Sequence, residues 1–113
     1  MRKGNIRVVE SYFEALQKKD LSLALLADDL KFEDPIAGQD IGAENFKAFL
    51  SGFLPAISEV KIFSHVCEGE YVVTHFAVVT VFGIIFILEK FRVENGKISE
   101  LNGFYDPRPI IGG

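Results

Sequence analysis

A glutamate interrupts an otherwise apolar strand pattern near the C-terminal end of the chain. In 84-IIFILEKFRV-93 one set of alternate positions is apolar except for Glu89, which falls between Ile87 and Phe91. Because successive side chains of a strand point to opposite faces, a strand here would direct the carboxyl group of Glu89 into the core. A buried carboxyl group becomes neutral by raising its pKa, finds a partner or takes part in chemistry. Glu89 is therefore a candidate functional residue.

A second carboxyl group extends the apolar face of 30-LKFED-34, where Leu30, Phe32 and Asp34 alternate with charged residues until Pro35. Removal of a proton next to a carbonyl group needs a base near the carbon and hydrogen-bond donors near the oxygen. Asp34 is expected at a strand end, where it can be partly solvated and ionised. Glu89 is expected in mid-strand, where desolvation favours its neutral form. In such a reaction the ionised acid can act as the base and the neutral acid as a hydrogen-bond donor.

Each candidate also has an ordinary structural interpretation. Asp34 before Pro35 is typical of a turn in which the side chain bonds the loop backbone. Glu89 could be satisfied by a backbone group or by a nearby basic residue. Tyr12 fits the edge of an amphipathic helix. The residue pattern alone leaves both interpretations open.

The elements that must position these residues are helices first and strands afterwards. Apolar residues at helical spacing predict one helix from residue 5 to 18 and another from 43 to 57, in which Gly52 and Pro55 favour an early end. Between them, Asp20 resembles the N-cap of a short helix over residues 21–27. Alternation and turn residues predict strands at 30–34, 59–67, 70–81, 85–94 and 97–105, joined by turns at Gly69, Gly83 and 95-NGK-97.

This order of elements indicates an α+β fold in a single domain that spans residues 1–113. Tight turns favour antiparallel pairing. We expect a cone-shaped, curved antiparallel sheet wrapped around three N-terminal helices, as in cystatin-like folds and α+β barrels. Phe46, Phe49 and Phe53 would pack in its concavity. A pocket at the mouth of such a cone suits a small apolar ligand.

Composition and charge exclude several classes of function. The 113 residues carry a net charge of -4 with scattered Lys and Arg, so no surface for nucleic acid is expected. Cys67 is the only cysteine, which excludes an internal disulfide and a cysteine-based metal site and favours a reducing, cytoplasmic setting. The two histidines are far apart, so neither a metal site nor a cofactor is expected.

The most apolar stretch, 71-YVVTHFAVVTVFGIIFIL-88, is interpreted as two strands that meet near Gly83. It is rich in β-branched residues and contains Thr74, His75 and Thr80, so a membrane-spanning helix fits it poorly. The N-terminal MRKGNIRVVE reaches charged and polar residues before any apolar run forms, which argues against a secretory signal. No membrane partner is expected.

Three segments, in order, resemble the ketosteroid isomerase-like and SnoaL-like proteins of the nuclear transport factor 2-like superfamily. They are 8-VVESYFEALQKKDL-21, 26-LADDLKFEDPIAG-38 and 88-LEKFRVENGKI-98. The resemblance implies a general-base aspartate at Asp34, in the same E-D-P context. It implies oxyanion donors at Tyr12 and at Glu89, where the isomerases carry an aspartate. It further implies proton transfer on a small apolar molecule, such as a ketone.

Further residues are expected to line the pocket. His75 shares a strand face with Val73 and Ala77, and that pattern directs it inward. Asp106 would lie near the pocket mouth as a candidate acid or, before Pro107, as a turn residue. The complete set of expected ligand contacts outside the catalytic trio is Phe49, Phe53, His75, Phe91 and Tyr105.

Two features separate this chain from the isomerases. Glu89 is longer than an aspartate, and the hairpin at Gly83 is shorter, so a steroid is not expected to fit. The alternatives are a non-catalytic ligand-binding or dimerisation module, or an enzyme like an epoxide hydrolase or polyketide cyclase. Apolar residues assigned to the outer face of the sheet predict a homodimer through that face. They are Phe76, Val78, Phe86 and Leu88.

Overall fold

The computed structural model of the chain describes residues 2–112. Its longest helix comes first, a second helix lies between the second and third strands, and a last helical turn follows the final strand. Short 3-10 turns occur at Leu21–Leu23 and Leu54–Ala56. The elements are α1 Arg2–Lys18, β1 Leu26–Asp34, β2 Gly38–Ile41, α2 Ala43–Ser51, β3 Ile57–Glu68, β4 Tyr71–Thr80, β5 Gly83–Glu94, β6 Lys97–Phe104 and α3 Arg108–Ile111.

The six strands form one curved sheet in the order β2-β1-β6-β5-β4-β3, which is not closed into a barrel. The predicted α+β class is confirmed. Four of the five strand pairs are antiparallel, and the three hairpin pairs from β3 to β6 are so as predicted. The pair β1 and β6 is parallel, so the expectation of a wholly antiparallel sheet is wrong there. These two strands are distant in the chain, and no hairpin turn sets their relative direction.

The region before α2 differs most from the prediction. Instead of the helix predicted over 21–27, only Leu21–Leu23 form a 3-10 turn, capped by Asp20, and β1 begins already at Leu26. A shift of register against β6 between Leu26 and Lys31 interrupts the alternation that would mark the start of this strand. β2 was not predicted, because all four of its residues are exposed and carry no apolar pattern.

α2 ends at Ser51, whereas the apolar pattern continues to residue 57. Gly52 follows the helix, and Pro55 lies in the 3-10 turn before β3. Proline lacks an N–H group and clashes with the preceding helical turn, so the helix stops before it. The pattern persists beyond the helix because Leu54 still packs into the core.

The core lies between α1, α2 and the inner face of the sheet. Four phenylalanines from four elements are almost fully buried in it. The ring of Phe13 contacts Phe76 and Phe91 edge-to-face, at centroid distances of 4.7 and 5.9 Å. Such a pair contributes about 0.5–1.5 kcal/mol beyond the area it buries. These contacts fix α1 against the strands; the four residues are Phe13, Phe46, Phe76 and Phe91.

β4 turns the opposite face inward from the one predicted. Phe76 and Val78 are buried on the inner face, so neither belongs to the outer surface, and His75 is exposed. Both faces of this strand are apolar, so alternation alone cannot choose between them. The hairpin with β5 decides: Phe76 pairs with Ile87, and directly paired residues share a face.

The apolar stretch 71–88 forms β4 and the first half of β5, as predicted. At the turn, the hydroxyl of Thr80 accepts a hydrogen bond from the N–H of Phe82 and donates one to the carbonyl of Gly83. Gly83 has a φ of 114°, a conformation that favours glycine. Among the helices of residues 2–112, none is both long and apolar enough to span a membrane.

Candidate functional site

A narrow cavity of about 80 Å³ lies between the helices and the inner face of the sheet. Its wall is mostly apolar, but four ionisable side chains from distant parts of the chain converge on it: Tyr12, Asp34, Glu89 and Tyr105. An apolar cavity with a few convergent polar groups is the usual form of a small-molecule site. The apolar wall includes Phe46, Phe49, Phe53, Phe76, Phe82 and Ile87.

Tyr12 reaches the cavity from α1, and only 3% of its surface is exposed. Its ring packs edge-to-face on Phe91 at 5.4 Å and stacks on Phe46 at 6.1 Å, so packing sets its position. Burial raises the pKa of Tyr12 well above its ordinary value, and the nearby carboxyl group of Glu89 raises it further. The hydroxyl group therefore stays protonated and can donate a hydrogen bond to a ligand.

Asp34 is the last residue of β1 and also lines the cavity. Its Oδ1 accepts hydrogen bonds from the backbone N–H groups of Ile36 and Ala37, at 2.8 and 2.7 Å. This is the turn interaction that the sequence left open. Its Oδ2 accepts a hydrogen bond from the hydroxyl of Tyr105 at 2.7 Å. Asp34 therefore bonds the backbone of the turn and also lines the cavity.

Glu89 lies in the middle of β5 and is 6% exposed. Burial raises the pKa of Glu89 to about 8, and the negative charge of Asp34 also raises it, while an interaction with the hydroxyl of Tyr12 lowers it. Its Oε1 is buried, and neither Tyr12 nor any other group in residues 2–112 forms a hydrogen bond to it. A mostly neutral carboxyl group near pH 7 thus stands at the cavity wall with one unpaired oxygen.

Gly103 of β6 makes room for the two acids. It is buried directly opposite Glu89 in the β5–β6 pairing. A Cβ atom at this position would lie 3.3 Å from Oε2 of Glu89 and 3.7 Å from the Cβ of Asp34. The first distance is shorter than an ordinary contact, so a side chain here would displace Glu89. Sequence reasoning missed Gly103, although a glycine within a strand pattern is a signal of close approach.

Tyr105 was predicted as a ligand contact, and its ring does line the cavity. Its hydroxyl, however, is engaged by Asp34. Burial raises the pKa of Tyr105 well above its ordinary value, and the hydrogen bond to Asp34 raises it further. The spacing of the two residues in the sequence carries no signal for this contact.

Two of the predicted ligand contacts lie elsewhere. Phe49 and Phe53 line the cavity, but Phe91 is fully buried against Tyr12 and does not line it. His75 is exposed on the outer face of the sheet, where the centroid of its ring lies 4.9 Å from that of Phe63. The predicted placement of Phe91 and His75 in the pocket is therefore wrong. For His75 the cause is the reversed face of β4.

Asp106 has the turn role and lies outside the cavity. Hydrogen bonds from the Arg108 side chain and backbone hold the pKa of this exposed carboxyl group at about 2. An ion pair of 2.7 Å joins the two side chains. The cavity residues that were not predicted include Phe82 at the β4–β5 turn and Ile110 in α3. Both lie in turns or short elements, where no periodic pattern indicates which way a side chain points.

The protonation of the four polar groups determines what the cavity can do. Tyr12, Glu89 and Tyr105 hold their protons near neutral pH. Asp34 accepts three hydrogen bonds, the pattern of an ionised carboxylate. A ligand in the cavity would meet O–H donors and one base. Across residues 2–112, no group of three or more His, Cys, Asp or Glu side chains is placed to hold a metal ion.

Solved structures of nuclear transport factor 2-like proteins share this fold. One such protein, from Cytophaga hutchinsonii, is 21% identical with a TM-score of 0.81 over 95% of this chain and 94% of that chain. An LEH-like epoxide hydrolase from M. tuberculosis is 24% identical with a TM-score of 0.78, over 98% and 89%. A candidate ketosteroid isomerase from Kribbella flavida is 17% identical with a TM-score of 0.82, over 93% and 79%. At these identities the likeness shows the fold alone.

A family model described as "Domain of unknown function (DUF4904)" matches residues 1–113, the whole length of the chain. No curated protein matches the sequence.

Proposed function

The chain belongs to the DUF4904 family, and we propose that it binds a small apolar ketone and moves a proton between two of its carbons. Asp34 is the base, and the hydroxyl of Tyr12 and the neutral carboxyl group of Glu89 are the donors to the ketone oxygen. One observation carries this proposal: two carboxyl groups with opposite surroundings line one apolar cavity. Asp34 is satisfied by three donors, whereas Glu89 is desolvated and has an unpaired oxygen.

The reaction needs no other reactant. Asp34 removes a proton from the carbon next to the carbonyl group, the C–H electron pair forms a carbon–carbon double bond, and the carbonyl π electrons move to the oxygen. Hydrogen bonds from Tyr12 and Glu89 stabilise the resulting oxyanion. When the substrate is a β,γ-unsaturated ketone, Asp34 then gives the proton to the γ carbon. The oxyanion re-forms the carbonyl group, the new double bond shifts to join the α and β carbons, and the electrons of the original double bond form the C–H bond. The product is an isomer of the substrate.

The narrow cavity limits the size of the substrate. Ligand pockets for drug-sized molecules measure about 300–1,000 Å³, whereas this one measures about 80 Å³. A monocyclic ketone fits this volume better than a steroid. The aromatic wall, which includes Phe49 and Phe53, favours an apolar ring.

Isomerisation of cyclohex-3-enone to its conjugated isomer tests the proposal, since conjugation creates an ultraviolet absorption band. We predict that Asp34→Asn lowers kcat/KM by about 10²–10⁴-fold, the usual contribution of a general base. Tyr12→Phe should lower it by about 10²–10³-fold, and Glu89→Gln by less because an amide still donates.

His75→Ala is the matched control, because this histidine lies on the outer face of the sheet, and it should retain the wild-type rate. Retention of the wild-type rate by Asp34→Asn would disprove the role of Asp34 as base.

A non-catalytic binding module is the second candidate, and one observation favours it. Three hydrogen bonds occupy three of the about four acceptor sites of the Asp34 carboxylate, so little of it is left to accept a proton from a ligand. In that case 4-nitrophenol, whose ionised form is coloured, should bind at Tyr12 and Glu89 while no unsaturated ketone is converted. Loss of the bound signal in Tyr12→Phe would place the phenol in the cavity.

A cytoplasmic location, inferred from the single Cys67, also stays a prediction.

A further inference from the structure

The carboxyl group of Asp34 is held at both of its oxygens. Oδ1 accepts hydrogen bonds from the backbone N–H groups of Ile36 and Ala37. Oδ2 accepts a hydrogen bond from the hydroxyl of Tyr105 at 2.7 Å. Within residues 2–112, Tyr105 provides the only side-chain hydrogen bond to Asp34. The orientation of the carboxyl plane therefore depends on Tyr105.

The number of acceptor sites identifies the oxygen that can react. An ionised carboxylate offers about four acceptor sites, two on each oxygen. The two backbone bonds occupy both sites of Oδ1, whereas Tyr105 occupies one site of Oδ2. We propose that Tyr105 is the positioning residue of Asp34 and holds the carboxylate so that the remaining site of Oδ2 faces a ligand in the cavity. This inference rests on the proposed function, in which Asp34 is the base.

Two residues of the C-terminal segment act on the acids together. Gly103 and Tyr105 are two positions apart, the spacing at which residues of an extended chain face the same side. Gly103 leaves the space in which Asp34 and Glu89 approach each other, and Tyr105 supplies the donor to Asp34. Since burial and Asp34 raise the pKa of Tyr105 well above its ordinary value, the tyrosine remains a donor at the pH of any assay.

The hydroxyl of Tyr105 affects the rate through the position of Asp34. A base displaced by about 1 Å loses on the order of a hundredfold in rate. Removal of the hydroxyl alone should therefore slow the reaction, while the apolar wall that binds the ligand stays in place.

The test compares Tyr105→Phe with Tyr71→Phe. Tyr71→Phe also removes only a hydroxyl group. The ring of Tyr71 lies beside Lys90 and Arg92, away from the cavity. With cyclohex-3-enone, Tyr105→Phe should lower kcat by about tenfold to a hundredfold with KM little changed. A merely structural defect would lower the folded fraction, which urea unfolding measures, whereas loss of positioning lowers the kcat of fully folded protein. Tyr71→Phe should match the wild type in kcat and KM.

Crystal structures of the two variants give a second readout that needs no turnover. In Tyr105→Phe the carboxyl group of Asp34 should rotate, so that Oδ2 leaves its place at the cavity, and in Tyr71→Phe it should stay. An unchanged orientation in Tyr105→Phe overturns the positioning role, even if the activity falls. If the wild type itself converts no ketone, the proposed function fails, and the orientation of Asp34 in the two crystals alone decides the positioning role.

Discussion

At the scale of single residues, Glu89 keeps a proton that the unfolded chain would release. Its pKa is about 8 in the folded protein and 4.5 ordinarily, because burial and the charge of Asp34 disfavour its ionised form. Between these two values the folded state binds more protons than the unfolded state, so stability falls as the pH rises. The contribution of the protonated form is complete below about pH 4.5 and is lost as the pH rises through about 8.

We predict that this loss disappears in Glu89→Gln, whose amide does not titrate. The free energy of unfolding of the wild type should fall relative to that of the variant by up to about 1.4 kcal/mol per pH unit between about pH 5 and pH 8. Urea unfolding of both proteins at a series of pH values measures the difference. Parallel stability curves would show that Glu89 ionises normally, and its role as an oxyanion donor would then be abandoned.

Tyr12, Asp34 and Glu89 could be assigned to one site from the sequence. Strand alternation directs Asp34 and Glu89 inward, and the family resemblance implies a role for each of the three residues. The contact between Asp34 and Tyr105 could not be predicted. It depends on the parallel pairing of β1 with β6, in which Glu33 pairs with Asn102. That pairing brings the ends of two distant strands together, and no local pattern in the sequence reports it.

At the scale of elements, periodicity predicted α1 and the four long strands β3 to β6, because each buries a regular face against the core. It failed where burial is irregular. β2 buries no residue, and β1 contains a shift of register. It also chose the wrong face of β4, whose two faces are both apolar. Extending the β4–β5 hairpin pairing from Glu89 back to Phe76 would have corrected that choice.

The close pairing of β5 with β6 at Gly103 gives a prediction at this scale. In Gly103→Ala the new methyl group would press on Oε2 of Glu89, so the affinity for 4-nitrophenol should fall. Such overpacking also costs about 1–3 kcal/mol of stability. Equilibrium titration and urea unfolding measure the two effects.

Gly52→Ala is the matched control for Gly103→Ala. Gly52 has a φ of -71°, which alanine adopts readily, and its new methyl group would lie at an ordinary 3.6 Å from the carbonyl of Phe49. This variant should bind 4-nitrophenol like the wild type. If Gly103→Ala does so too, the two acids are not held in place by the absence of a side chain on β6.

At the scale of the whole molecule, the helices cover the inner face of the sheet and leave large apolar side chains exposed on the outer face. The rings of Phe63 and Phe86 lie 6.2 Å apart, and Leu88 pairs with Phe104 on the next strand. Contiguous apolar patches of this kind mark interaction surfaces more often than plain solvent-facing surface. The outer-face patch consists of Phe63, Ile84, Phe86, Leu88 and Phe104.

We predict that a second copy of the chain covers the outer-face patch, and that Phe86→Glu prevents this association. Phe86 is 62% exposed and contacts Phe63, so a glutamate there should leave the fold intact but introduce a charge whose desolvation opposes association. Analytical ultracentrifugation at micromolar concentration should show a dimer for the wild type and a monomer for Phe86→Glu. Leu25→Glu, at an exposed apolar residue outside the patch, should remain dimeric. A monomeric wild type at that concentration would contradict the prediction, whereas a dimeric Phe86→Glu would place the interface on another surface.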